Sequence, residues 1–66
     1  MRQQLLEALR SHADGQIAKH KANVEVYLHQ VVGIGEHSDI VTTLELEIEQ
    51  IAKYEEQLQV LDKYFK

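Results

Sequence analysis

His20, Asn23 and Tyr27 follow one another at steps of three and four in a stretch rich in helix formers, with Lys19 immediately before them. On a helix that spacing puts an imidazole, an amide and a phenol along one face. With the Lys19 ammonium they would make a cationic, aromatic, hydrogen-bonding surface. Repeated across a symmetry axis, such a surface would line a shared pocket for an anionic aromatic ligand such as a nucleotide. The plainer reading makes His20 a hydrogen-bonded polar residue within an apolar seam, where a single polar group sets register. The chain has four histidines and no cysteine. Glu25 and His29 stand at i, i+4, a spacing that can bring two ligands to one metal. Neither a His-Glu-x-x-His nor a paired Glu-x-x-His motif accompanies them, so the sequence predicts no metal and no cofactor, and a metal-stabilised structural bundle through Glu25 and His29 is kept as an alternative.

A second group of polar residues lies in Val32-Gly33-Ile34-Gly35-Glu36-His37-Ser38-Asp39-Ile40. Gly33 and Gly35 suit a chain leaving one helix through a left-handed conformation and entering another. The same glycines, together with the free amides of a following helix, would also make an anion nest. Glu36 and Asp39 oppose an anion there and His37 favours one. A Gly-Lys-Ser/Thr ending is absent, and no strand pattern precedes the glycines, so neither a phosphate loop nor a dinucleotide fingerprint is present. The candidate ligand-binding set is therefore Lys19, His20, Asn23, Tyr27, Gly33, Gly35, Glu36, His37, Ser38 and Asp39.

Nucleophilic catalysis finds no support. Ser11 and Ser38 occupy cap-like or surface contexts without an evident base, and adjacent Glu55 and Glu56 point to different sides of a helix. The sequence reads as that of a non-enzyme.

These groups must be positioned by two long helices. The periodicity predicts a helix over about 3–31, a turn over 32–38 and a helix over about 39–65, making a single all-α domain across 1–66: an antiparallel two-helix hairpin. In the first helix Leu6, Ala13, His20 and Tyr27 fall on one heptad row and Arg10, Ile17, Val24 and Val31 on the next, with Leu5, Leu9 and Leu28 widening the stripe. Asp14-Gly15 is the one point where this helix would kink; a continuous helix is the expectation. In the second, the apolar stripe reads Val41, Leu44, Ile48, Ile51, Tyr54, Leu58, Leu61 and Phe65, capped by Ser38 or Asp39 and braced by a Glu49–Lys53 pair. Leu46, Ala52 and Val60 fall off that line and suggest a second contact. Two helices touching along one line bury too little apolar surface to offset chain ordering. Homo-oligomerisation into a helical bundle is the expected remedy.

The formal net charge is −4, unevenly divided. Residues 1–32 hold four basic against three acidic side chains, residues 33–66 three against eight. An acidic second helix favours pairing with the first, and the balance excludes nucleic-acid binding, which needs a basic stripe. No apolar run reaches the length of a membrane span, and Glu7 interrupts the N-terminal stretch too early for a signal peptide. A cytoplasmic protein is expected.

The segments His20-Lys21-Ala22-Asn23-Val24-Glu25-Val26-Tyr27-Leu28 and Val32–Ile40, with Tyr54-Glu55-Glu56-Gln57-Leu58 and Leu61-Asp62-Lys63-Tyr64-Phe65, resemble short proteins encoded by tailed bacteriophages, chiefly T4-like phages of marine and cyanobacterial hosts. The pattern of that group has proline where this chain has Val31, a departure that would let the first helix run another turn. The resemblance implies a protein at work in the host cytoplasm that acts by binding: to copies of itself, to a host or phage protein, or, as small phage sponges do, to a cyclic nucleotide signal.

Overall fold

A computed structural model describes residues 1–29 and 39–66. They form two helices and no strand: α1, Arg2–His29, and α2, Ile40–Tyr64. At 1.5 Å per residue these are rods of about 42 and 38 Å. Neither contains proline, and α1 runs unbroken through Gly15, as the sequence led us to expect. A Cβ placed on Gly15 would meet nothing within 4 Å, so the glycine serves no close approach. At the start of α2 Asp39 occupies the N-cap position and makes no side-chain capping bond; its carbonyl accepts from the Thr43 amide at 3.0 Å. The helix closes where the Phe65 amide returns to the Leu61 carbonyl at 2.9 Å. The expected turn, with Val31, Ile34 and the Ser38 cap, lies outside the described residues.

The helices pair antiparallel. Arg10 near the start of α1 meets Asp62 near the end of α2, His12 meets Tyr54, and His20 meets Glu47. The molecule measures 50 × 15 × 12 Å with a radius of gyration of 15.4 Å. A globular domain of this length would have a radius of about 11 Å, so the chain is a rod.

On α1 the inward line is Leu6, Arg10, Ala13, Ile17, His20, Val24 and Tyr27, each buried or partly buried. These are the two heptad rows anticipated above. Ala13 is 1% exposed, and its small side chain lets the helix axes approach. On α2 the inward line is Ile40, Leu44, Glu47, Ile51, Tyr54, Leu58 and Leu61. This corrects the expected stripe at three places. Val41 and Ile48 are exposed (71% and 54%), with Ile40 and Glu47 in their stead, and Phe65 is also exposed. The reason is phase. A stripe through Ile48, Ile51 and Tyr54 takes two successive steps of three, which rotates the contact line off the partner. The line through Ile40 and Glu47 alternates four and three throughout, the 3.5-residue period that keeps two helices in register. Leu5, Leu9 and Leu28, expected to widen the α1 stripe, are all more than half exposed. Lys53 is not paired with Glu49; its Nζ lies 4.9 Å from the centroid of the Tyr54 ring.

Candidate functional site

The polar residues of the seam converge on one oxygen. His20 and Asn23, one turn apart on α1, face Glu47 on α2. His20 Nδ1 donates to Glu47 Oε1 at 2.6 Å, and Asn23 Nδ2 donates to the same oxygen at 2.9 Å. The His20 and Glu47 side chains are 12% and 20% exposed. The two donated bonds, His20's first and Asn23's next, hold the Glu47 carboxyl below its ordinary pKa of 4.5, and the charges of His20 and Lys19 act in the same direction; partial desolvation opposes them without prevailing. Ionised Glu47 can only accept, so His20 must carry its proton on Nδ1.

This geometry limits the chemistry. A histidine oriented by a carboxylate is half of a nucleophile-activating device, yet among the described residues no serine or threonine hydroxyl is hydrogen-bonded to His20, and the chain has no thiol. An anion approaching His20 and Asn23 would meet the Glu47 carboxylate to which each already donates one bond. The arrangement is that of a register lock: a charged acceptor on one helix that two donors on the other satisfy at one axial position.

The remaining candidates are dispersed. Lys19 is exposed, Tyr27 is partly buried farther along the α1 seam, and Asp39 is exposed at the start of α2. Gly33, Gly35, Glu36, His37 and Ser38 lie outside the described residues. Of the possible metal pair, His29 Nδ1 donates to the Glu25 backbone carbonyl at 2.7 Å, a bond within one helical turn. No group of three or more potential metal ligands occurs among the described residues. Nor, among them, is any helix long and apolar enough to cross a membrane.

Glu47 was missed in the sequence because its neighbour Ile48 offered the apolar side chain that a stripe seeks. A signal was present, however. An antiparallel hairpin with the expected turn over 32–38 sets position 20 opposite about position 50, and Glu45, Glu47 and Glu49 precede that point as possible acceptors for His20 and Asn23, without the sequence choosing among them.

A second feature could not be read from spacing. Near the open end of the hairpin Leu9, Val60 and Leu61 form the floor of an open groove of about 560 Å³, edged by Lys53, Glu56 and Gln57. Leu9 and Val60 are 53% and 40% exposed. Comparison of the chain with family models, curated proteins and solved structures finds no match.

Proposed function

We propose that this chain is a non-enzymatic binding module that works as an assembly of copies, its further target a protein of the phage or of the infected host cell. One observation carries the reading. Ala13 and Leu61 are the buried apolar side chains of the described residues, while eleven large ones, from Met1 at 85% to Val60 at 40%, stand exposed. A helical rod that buries so little and exposes so much is half of a larger core. The resemblance to short tailed-phage proteins supports a setting in the host cytoplasm.

The alternative, a nucleotide sponge built on Lys19, His20, Asn23 and Tyr27, fares less well, since Glu47 takes the donors of His20 and Asn23 and puts a negative charge beside them. Sedimentation equilibrium and thermal melts across a hundredfold range of concentration test the lead reading. A mass of at least twice 7.6 kDa and a melting temperature that climbs with concentration are expected. A stable monomer at micromolar concentration would refute it. In the same melts, mononucleotides and cyclic oligonucleotides are expected to leave the transition unmoved; a ligand-induced rise abolished by Lys19→Ala or Tyr27→Ala would favour the sponge instead.

A further inference from the structure

The geometry points to a second copy of this chain as the occupant of the Leu9–Val60–Leu61 groove, seated about a two-fold axis that runs along the hairpin and closes a four-helix bundle. The inference rests on the reading of the chain as an assembly and adds to it the surface and the symmetry.

Area is the first argument. The chain exposes 5237 Å², whereas a folded monomer of 7.6 kDa is expected to expose about 4,300 Å². The excess of about 900 Å² is close to the ~800 Å² that each partner contributes to an interface of standard size. A dimer would remove the surplus without further folding of either subunit.

The groove has the composition of an interface centre. Its floor is aliphatic and its edge carries one cation, one carboxylate and one amide, an apolar middle within a polar rim. It opens between the two helices at the end of the hairpin where the termini meet, with Leu9 supplied by α1 and the other lining residues by α2. A two-fold axis along the rod sets two such grooves opposite each other at the same height, so that each Leu9 and Val60 faces its own symmetry mates.

Charge selects that axis over the perpendicular one. Within α1 four basic residues stand against three acidic; within α2 two stand against six. A perpendicular axis lays α2 against α2 and concentrates the carboxylates. The parallel axis places each α2 between two α1 helices, alternating the sign of charge around the bundle. Either axis leaves every neighbouring pair antiparallel, so the helix dipoles are opposed in both and side-chain charge makes the choice.

The test uses the full-length chain. Leu9→Lys and Val60→Lys place an ammonium in the groove at positions already exposed in the subunit. Each is expected to weaken self-association at least about tenfold in sedimentation equilibrium, a cost in keeping with desolvating an unpaired charge. Because loss of helicity on separation would also lower the mass, single-cysteine variants supply a second readout in a chain that has no cysteine of its own. Leu9→Cys, diagonal to its symmetry mate across the bundle core, should give a covalent dimer with a short bis-maleimide cross-linker. Ala22→Cys, on an exposed position of α1, should not. Equal cross-linking at both positions, a trimeric mass, or a dimer that withstands both lysine variants would overturn the groove as the interface while leaving self-assembly intact through another face. A stable monomer of the unaltered chain would remove the proposed function as well.

Discussion

Glu47 sets a carboxylate where the seam would otherwise take an aliphatic side chain, and two donors from the opposite helix hold its pKa below the ordinary value. Removing one member of such a cluster leaves the others unsatisfied, while replacing the cluster with apolar residues removes the need for it. Glu47→Ala is therefore expected to lower the melting temperature more than the triple replacement His20→Leu, Asn23→Leu and Glu47→Leu does. The triple variant should melt no lower than the parent, yet assemble less uniformly, with additional species in native mass spectrometry. The pH dependence follows from the direction of the shift. A carboxyl whose pKa is lowered on folding stabilises the folded state above its unfolded pKa, and that contribution disappears as pH falls through the folded value. Melts at fixed protein concentration between pH 7 and pH 3 should show Glu47→Gln below the parent at neutral pH, with the gap closing under acid. Arg10 and Asp62, though 2.6 Å apart, are 37% and 57% exposed. Solvent screening limits that pair to about 0–1 kcal/mol, and Asp62→Asn should change stability by no more than that, less still in high salt.

At the scale of the helix, Gly15 and Ala13 have opposite reasons for being small. Gly15 sits in an unbroken helix with open space where its Cβ would be, so alanine there should stabilise the fold by about 1 kcal/mol. Urea unfolding at constant protein concentration measures this directly. Ala13 is 1% exposed at the helix contact. Ala13→Leu would push α1 and α2 apart and should cost about 1–3 kcal/mol, whereas Ala22→Leu on the exposed face should fall within about 0.5 kcal/mol of the parent. The rows of α1 were legible from their seven-residue spacing, although Arg10 and His20 sit within them and Leu5, Leu9 and Leu28 lie exposed beside them. Those of α2 were not, because Ile40-Val41 and Glu47-Ile48 each offer two adjacent choices. One strand of sequence cannot tell which of two neighbours faces a helix it has yet to meet.

For the whole molecule, elongation is the governing fact. A rod 50 Å long and 15 × 12 Å across presents nearly every residue to solvent, and its exposed apolar side chains turn concentration into a determinant of stability. The unaltered chain is thus expected to gain helicity and melting temperature together on concentration, as followed by circular dichroism. Leu9→Lys, by contrast, should show a transition almost independent of concentration. Such a dependence would set the level of protein at which the module becomes competent to bind any further target.

Periodicity along the chain was enough to establish two helices, their antiparallel pairing and the inward rows of α1, since these depend on 3.5-residue repetition and on the shortage of apolar cover, both local or compositional properties. His20 and Asn23 could likewise be singled out as polar residues on an apolar face. What they bind could not: the choice of Glu47 over Ile48, and the meeting of Leu9 with Val60 and Leu61 in one groove, arise from the axial register of one helix against the other. Register is a relation between two elements, fixed by the contacts that best satisfy both at once, and it is absent from the pattern of either alone.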